Sequence, residues 1–301
     1  MTLPPNAPRV AIIGFGEAGP AIASGLAEAG LGDIVAYDIL QQDPAQVGTI
    51  EARAAKSGTR LANSHAEAVA GRDIVIATVT CTDAVQAAKT VAAHLKPGQI
   101  YLDVNSVSPA TKAEVGAAIG PSGADFVEGS IMSPINPKRH ASPMLLSGPK
   151  AARVIEMMAP FGMNLEDLGP EYGRAAAIKM FRSIIFKGLE AILQECVVAA
   201  GRHGVAERVL DSVGANYPQF DWQALASYFV GRSVIHGKRR AHEMEEVAAT
   251  LRAMGIEPFM AEGAAKRIGW LGNQDLKSVF DGREPDHFQE VLAELAKRGD
   301  T

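Results

Sequence analysis

Hydrophobic positions follow one pattern in the first half of the chain and another in the second. Between residues 9 and 168, short apolar runs rich in β-branched residues alternate with alanine-rich stretches of helical periodicity. The apolar runs lie at residues 10–13, 34–37, 73–79, 99–103, 125–128 and 144–147. Because the clearest of these runs lack polar alternation and helical stretches separate them, they indicate a parallel sheet that is covered on both faces.

After Gly169-Pro170 the pattern becomes helical throughout. Residues 172–202 contain no proline and predict one long helix, and helical stretches continue to the end of the chain. We therefore expect an α/β fold, a Rossmann-type, doubly wound, mostly parallel sheet in residues 1–168. An all-α domain for substrate binding and dimerisation is predicted in residues 169–301.

Composition narrows the class of protein. The chain has 301 residues, 47% of them hydrophobic, and a formal net charge of −5. The absence of a long basic run argues against a nucleic-acid partner, and no apolar run is long enough to cross a bilayer. Residues 1–9 hold three prolines and do not read as a signal peptide. With two distant cysteines, Cys81 and Cys196, we expect a cytoplasmic protein without disulfides.

A glycine-rich turn follows the first predicted strand directly and opens a helix. It reads Gly14-Phe15-Gly16-Glu17-Ala18-Gly19. In such a turn the first glycine permits the tight bend, the second admits the pyrophosphate, and the third lets the helix pack on the strand. The N–H groups and the dipole at the helix start then favour phosphate. The sequence therefore predicts a dinucleotide site, although a glycine turn that serves packing alone is the simpler alternative.

An acidic residue lies where the ribose of a dinucleotide is expected. Asp38 closes the second strand about twenty residues after the turn, the position of the carboxylate that binds the ribose 2′-hydroxyl. It would repel a 2′-phosphate, and Ile39 and Leu40 follow it rather than an arginine. We therefore expect NAD and not NADP, with Thr80 and Cys81 over the cofactor at another strand end.

Two further segments carry a family resemblance. Residues 103–112 read Asp-Val-Asn-Ser-Val-Ser-Pro-Ala-Thr-Lys, and residues 173–179 read Gly-Arg-Ala-Ala-Ala-Ile-Lys at the start of the long helix. Together with the glycine turn, this order resembles the 6-phosphogluconate dehydrogenase and β-hydroxyacid dehydrogenase superfamily. The C-terminal half, with Asp221-Trp222 and residues 242–247, looks like a little-characterised branch with its own helical domain.

The resemblance implies a catalytic role for Lys179 as the acid/base of a dehydrogenase. A lysine beside the nicotinamide can accept a hydroxyl proton where burial and nearby charge favour its neutral form. Ser183 replaces the family's usual asparagine one turn later, and Asn105 and Ser106 would position nicotinamide and substrate. Taken alone, the polar stripe in which Lys179 and Ser183 lie predicts a solvent-exposed helix face. Its other members are Lys187, Glu190 and Gln194.

The predicted substrate loop, residues 129–137, departs from the family's Ser-Gly-Gly pattern. Ser130, Met132 and Ser133 are its candidate substrate contacts, but Met132 and Pro134 stand where the family has small residues whose N–H groups bind a carboxylate. This departure favours a bulkier or more apolar substrate, aromatic alcohols included. The alternative is that the loop only packs on the sheet edge.

The helical half holds a basic cluster in which His236, Arg239 and Arg240 follow helical spacing. With Lys187, His236 and Arg239 are candidates for binding an anionic substrate group. Alternatively, the cluster pairs with acids such as Glu243. No histidine shows metal-ligand spacing.

Three functions remain open at this point. The leading one is an NAD-dependent dehydrogenase for a β-hydroxy acid or related alcohol. The second is a lyase on the same scaffold that releases an aldehyde by retro-aldol cleavage with NAD bound, and the third is a non-catalytic NAD sensor. Apolar faces in residues 222–230 and 247–254 exceed what one short domain is expected to bury. Because similar enzymes dimerise through this domain, we expect a homodimer there.

Overall fold

The computed structural model describes residues 7–299, so the first six residues of the proline-rich N-terminal segment lie outside the described part. The chain divides into two compact units, Met1–Lys179 and Met180–Thr301. This division falls inside the long helix predicted over residues 172–202, whereas the sequence places the domain boundary just ahead of that helix.

The first unit is built on one eight-stranded sheet. Its strands run in the order β3-β2-β1-β4-β5-β6-β7-β8, and every neighbouring pair is parallel except β6 with β7. This confirms the Rossmann-type, mostly parallel sheet. The strands are β1 (Val10–Ile13), β2 (Ile34–Tyr37), β3 (Arg60–Leu61), β4 (Ile74–Ala77), β5 (Ile100–Asp103), β6 (Asp125–Ile131), β7 (Met144–Ser147) and β8 (Leu165–Asp167).

Helices cover the sheet on both faces. They are α1 (Ala18–Glu28), α2 (Val47–Ser57), α3 (His65–Val69), α4 (Ala84–Ala92), α5 (Pro109–Ile119) and α6 (Ala151–Met158). Successive side chains of a strand point to opposite faces, so Val10 and Ile12 join one apolar core while Ala11 and Ile13 join the other. Both sets are buried, which explains why the strand is apolar at every position.

Two features of the sheet differ from the sequence expectation. The edge strand β3 is only two residues long, and its exposed Arg60 gives it no apolar pattern. Strand β6 continues to Ile131 because it pairs antiparallel with β7, with Gly129 opposite Leu146. Gly129 and Ser130 therefore lie in a strand, and the expected substrate loop begins only at Met132.

All regular elements among the described residues of the second unit are helices, as the sequence predicts. Helix α7 (Arg174–Gly201) contains the division between the units. It is followed by α8 (Ala206–Asn216), α9 (Trp222–Ala253), α10 (Phe259–Gly272) and α11 (Phe288–Lys297). Among the described residues, no helix combines the length and the apolar character needed to cross a membrane.

The core of the second unit takes up part of the apolar surface of α9. Phe229 and Val230 of α9 are buried in one apolar cluster, and Val247 and Leu251 lie in another. The apolar surface in residues 222–230 and 247–254 is thus partly buried inside the unit and partly exposed. Tyr228 and Met254 within these ranges stay exposed, and further exposed apolar side chains lie outside them: Ile185 and Ile192 on α7, and Phe259 and Met260 on α10.

Candidate dinucleotide and catalytic site

The glycine turn is held tightly between β1, β4 and α1. Gly14 has φ = 90°, and a Cβ atom built on it would lie 2.7 Å from the Thr78 carbonyl oxygen. The Thr78 hydroxyl donates a hydrogen bond of 2.6 Å to the Gly14 carbonyl. A Cβ on Gly19 would collide with that same carbonyl oxygen. Glycine is therefore required at positions 14 and 19 by packing inside the protein.

Gly16 differs from the other two glycines. Apart from Gly16 itself and its two chain neighbours, no residue has an atom within 4 Å of the position that its Cβ would take, so its backbone faces open space. Glu17 is exposed and does not cap α1 through its side chain, while Ala18 begins the helix. The N–H groups of the first helical turn thus remain able to bind another acceptor. This cradle fits the pyrophosphate of a dinucleotide.

Asp38 is fixed against the turn at the carboxyl end of β2. One carboxylate oxygen accepts the Phe15 N–H at 2.5 Å, and the other accepts the Leu40 N–H at 2.9 Å. The Phe15 side chain is fully buried in the core, which anchors this arrangement. Each carboxylate oxygen keeps a second lone pair with which it can accept a ribose hydroxyl.

Arg53 is a residue of this site that the sequence reasoning missed. It comes from α2, and its guanidinium donates to the Phe15 carbonyl at 3.3 Å. Phe15 is therefore bound on its N–H by Asp38 and on its carbonyl by Arg53. No local sequence motif predicts this contact, because Arg53 lies fifteen residues beyond Asp38. Only the packing of α2 places its side chain next to Phe15.

The end of β4 carries the two other residues predicted to cover the cofactor. Thr80 is exposed and precedes a 3₁₀ turn, Cys81–Asp83, with its hydroxyl bonded to Asp83 and, at 2.8 Å, to Thr82. Cys81 is half-buried against the apolar cluster on one face of the sheet. Both residues therefore follow a strand that neighbours β1, at the carboxyl edge of the sheet.

A buried ion pair supports the loop after β5. Lys112 and Asp103 are both fully buried, with Lys112 Nζ 2.5 Å from Asp103 Oδ1. The other Asp103 oxygen accepts the Asn105 side-chain amide at 3.0 Å, so the ion pair fixes Asn105. Lys112 also donates to the Gly129 carbonyl of β6 at 3.2 Å. The sequence placed Lys112 in the family segment but gave it no role.

The structure brings Lys179 and Ser106 together. Lys179 Nζ donates to Ser106 Oγ over 2.6 Å, and Ser106 is exposed in the loop that Asn105 begins. The start of α7 is held by Glu128, a fully buried carboxylate that accepts the Gly173 N–H at 2.5 Å and the Ala176 N–H at 2.9 Å. A carboxylate at a helix N-terminus is favourable, and this one sets the position of Lys179 one turn later.

The predicted substrate residues at the end of β6 occupy different environments. Ser130 lies within β6 and is 1% exposed. Met132 follows the strand, donates its N–H to the Pro143 carbonyl at 2.8 Å, and is partly buried. The Ser133 hydroxyl is 3.1 Å from the Pro134 carbonyl. Their contact with substrate remains a prediction.

The polar stripe on α7 is buried where it enters the second unit, so the expectation of a solvent-exposed face is wrong there. Lys187 is 6% exposed, and Glu190 and Gln194 are fully buried. Lys187 Nζ lies 2.8 Å from Glu243 of α9 and 3.3 Å from the Ser183 hydroxyl. Burial alone would raise the pKa of Glu243, but Lys187, followed by the neighbouring arginines, outweighs it and lowers that pKa.

The basic cluster of α9 pairs with acids, the second of the two alternatives. Arg239 is 2.8 Å from Glu243, Arg240 forms a buried ion pair with Glu190, and His236 lies 3.7 Å from Glu284. Asp221, singled out in the sequence, caps α9 by accepting the Ala224 N–H at 2.9 Å. Within residues 7–299, no three His, Cys, Asp or Glu side chains come together as a metal site.

Comparison with known protein families agrees with this geometry and assigns the chain to one of them. Residues 9–161 match the family described as the NAD binding domain of 6-phosphogluconate dehydrogenase. The chain belongs to this family. Residues 200–271 match a second family, a domain of unknown function, which confirms the distinct helical C-terminal domain. The family of the first unit binds NAD or NADP, in agreement with the open cradle at Gly16.

Solved structures support the same assignment along the whole chain. A conserved hypothetical protein from Sinorhizobium meliloti is 36% identical, with a TM-score of 0.76 over 97% of this chain and 96% of that one. The conserved protein MTH1747, of unknown function, is described as structurally similar to 3-hydroxyacid dehydrogenases. It is 31% identical over 91% of this chain and 99% of its own, with a TM-score of 0.70.

A characterised enzyme shares the fold at lower identity. The 3-hydroxyisobutyrate dehydrogenase of Mycobacterium tuberculosis is 18% identical over 96% of this chain and 99% of its own, with a TM-score of 0.70. The protein therefore has the NAD-binding fold of the 6-phosphogluconate dehydrogenase and 3-hydroxyacid dehydrogenase group, as its sequence motifs predict.

Proposed function

We propose that the protein is an NAD-dependent dehydrogenase that oxidises the hydroxyl-bearing carbon of a β-hydroxy acid or a related alcohol, aromatic alcohols included. The observation that carries this proposal is the 2.6 Å contact between Lys179 Nζ and Ser106 Oγ. It places an amine and a hydroxyl after β5, in the same unit as the glycine turn. Ligands of open α/β sheets bind outside these carboxyl ends.

The site residues of the first unit each have a definite role in this proposal. The turn at residues 14–19 and Asp38 hold the dinucleotide, whose nicotinamide accepts the hydride when it is bound. Lys179, in its neutral form, takes the proton of the substrate hydroxyl onto Nζ. Ser106 orients that hydroxyl, and Asn105, fixed by Asp103, supports the loop.

Ser183 is proposed to assist Lys179 from one turn further along α7. It has a hydroxyl in place of an amide and bonds to Lys187, which limits its rotation. Lys187, His236 and Arg239 stay candidate contacts for an anionic substrate group, although each already has an acidic partner. Met132 and Pro134 favour an apolar substrate end.

The preference for NAD over NADP is proposed from Asp38. Its carboxylate sits 8% exposed at the end of β2 and carries a negative charge where a 2′-phosphate would lie. We also propose that the enzyme is cytoplasmic and acts as a homodimer through its helical domain. The exposed Ile185 and Ile192 of α7 support that dimer. Sedimentation of the full chain as a monomer at micromolar concentration would contradict it.

A substrate panel tests the proposed reaction. The full chain is mixed with NAD and, in turn, 3-hydroxyisobutyrate, 3-hydroxybutyrate, 3-hydroxypropionate and benzyl alcohol. NADH is followed by absorbance and products by mass. One NADH per oxidised product is the expected result. Carbon–carbon cleavage that releases formaldehyde without net NADH would contradict the dehydrogenase and establish the lyase instead, and dinucleotide binding without turnover of any panel member would also count against it.

A further inference from the structure

The adenosine end of the dinucleotide site carries a cation as well as an anion. Asp38 and Arg53 contact the same residue, Phe15, the first on its N–H and the second on its carbonyl. Asp38 accounts for recognition of a ribose hydroxyl, but nothing in that role calls for a guanidinium. Arg53 therefore needs its own explanation.

Arg53 differs from the other arginines of the first unit in its charge environment. Within the described residues of that unit, every other arginine has a carboxylate within 4.0 Å: Arg9, Arg60, Arg72, Arg139, Arg153 and Arg174. Arg53 instead contacts a neutral backbone carbonyl and is only partly buried. Its positive charge is thus available to an anion that approaches the turn.

The surroundings of Arg53 match one end of a nucleotide. Asp38 begins a 3₁₀ turn, Ile39–Gln42, whose Ile39 and Leu40 side chains are 65% and 40% exposed. Exposed apolar side chains beside a ribose-binding carboxylate form a surface on which an adenine can pack. A guanidinium near this position matches the geometry and charge of a phosphate.

We propose that Arg53 is a specificity-determining residue that binds the 2′-phosphate of NADP. This inference rests on the proposed dinucleotide site. The protein then binds both dinucleotides, NAD through Asp38 and NADP through Arg53. NADP binds more weakly because the Asp38 carboxylate opposes its extra phosphate. Dual binding arises from two opposed charges that share Phe15 as their backbone anchor.

Arg53 also has a purely structural role to be separated from this one. If it only braces the Phe15 carbonyl, its loss disturbs the turn and weakens every dinucleotide alike. If it binds the 2′-phosphate, its loss weakens only ligands that carry that group. Nucleotide fragments make the distinction, because 5′-AMP and 2′,5′-ADP differ by that one phosphate.

The test is isothermal titration calorimetry of the full chain with NAD, NADP, 5′-AMP and 2′,5′-ADP. The variants are Arg53→Gln and the control Arg153→Gln, which removes the same charge from an exposed position on α6. We expect wild-type protein to bind NADP within about a hundredfold of NAD. Arg53→Gln should weaken NADP and 2′,5′-ADP at least about tenfold, since a charge-assisted hydrogen bond is lost. NAD and 5′-AMP should change less than about twofold, and the control should change nothing.

Equal weakening of all four ligands in Arg53→Gln would overturn the proposal, as would wild-type protein that binds NAD but no 2′-phosphorylated ligand. These outcomes leave the dehydrogenase proposal intact. Failure of both NAD and NADP to bind would remove the dinucleotide site itself and both proposals with it. If Arg53→Gln selectively loses binding of 2′-phosphorylated ligands but the wild-type protein oxidises no alcohol, the proposed role of Arg53 is supported and only the dehydrogenase proposal is contradicted.

Discussion

Lys112 and Asp103 form an ion pair of 2.5 Å in which both side chains are fully buried. The pair lies beneath the loop that carries Asn105 and Ser106, and Lys112 also bonds to Gly129. Removing two charged groups from water costs free energy, and the pair is tolerated only where the two charges attract each other and their hydrogen bonds are made. The pair therefore makes the protein sensitive to the loss of either partner, and it fixes the loop that contacts Lys179.

Removal of one partner tests this relationship. Lys112→Met leaves the buried Asp103 carboxyl group without its cation, so we expect the free energy of unfolding to fall by about 3–5 kcal/mol. Urea denaturation followed by circular dichroism measures it. The control is Lys150→Met, whose lysine is exposed and 3.9 Å from Asp125, and which should cost about 0–1 kcal/mol. The double variant Lys112→Met/Asp103→Leu should regain most of the loss, and a single variant as stable as the control would refute the account.

The geometry of the glycine turn predicts that a substitution at Gly16 weakens NAD binding without changing the stability of the fold. Gly16→Ala meets no protein atom, so its free energy of unfolding should stay within about 0.5 kcal/mol of wild type. Its methyl group fills the cradle, and the Kd for NAD should rise at least about tenfold. Gly48→Ala, on the exposed face of α2 and equally without a neighbour within 4 Å, should leave the NAD affinity unchanged and raise the free energy of unfolding by no more than about 1 kcal/mol. Unchanged NAD affinity in Gly16→Ala would mean that the pyrophosphate binds elsewhere.

Gly19→Ala should behave differently from Gly16→Ala. Its Cβ would collide with the Gly14 carbonyl, so α1 must move away from β1. We expect a lower melting temperature together with lost NAD binding. Thermal unfolding monitored by circular dichroism, beside NAD titration, measures both. A Gly19→Ala protein of wild-type stability would show that the packing of turn and helix is looser than described.

The buried network of the second unit predicts a pH dependence. The pKa of Glu243 is lowered on folding, so its contribution to stability is present above about pH 4.5 and is lost as pH falls through the lowered value. Glu243→Gln leaves Lys187 buried without its anion and should lower the melting temperature at pH 7. The difference from wild type should shrink as the pH falls below about 4.5.

The matched control for that network is Glu245→Gln, whose side chain is 66% exposed beside His242. It should leave the melting temperature nearly unchanged at every pH. A Glu243→Gln deficit that stays constant from pH 7 to pH 3.5 would show that the carboxylate charge is not what stabilises Lys187.

Much of the fold could be predicted from the sequence because the central strands are buried on both faces. Strand β1 is apolar at all four positions and leads straight into Gly14, so both the element and its end are visible. Edge elements give weaker signals. Strand β3 pairs through Arg60 and Leu61 alone, and nothing in residues 125–131 reveals that β6 meets an antiparallel neighbour.

The candidate site could be predicted where its residues belong to one segment. Gly14, Gly16 and Asp38 follow from local spacing, and Lys179 follows from family resemblance. Residues brought in from elsewhere could not be found this way. Arg53 reaches Phe15 only through the packing of α2, and Glu128 meets the N-terminus of α7 across 45 residues. The burial of Lys187 depends on Glu243, which lies on another helix.

The contact between Lys179 and Ser106 is the centre of the proposed chemistry. Its most direct test is the turnover of Lys179→Met with NAD and the best substrate of the panel. Calorimetry of NAD binding runs in parallel, and Lys89→Met, an exposed lysine on α4, is the control. We expect kcat to fall by about 10²–10⁴ in Lys179→Met, the usual contribution of a general base, while its Kd for NAD stays within about twofold. Full turnover in Lys179→Met with unchanged NAD binding would contradict the account.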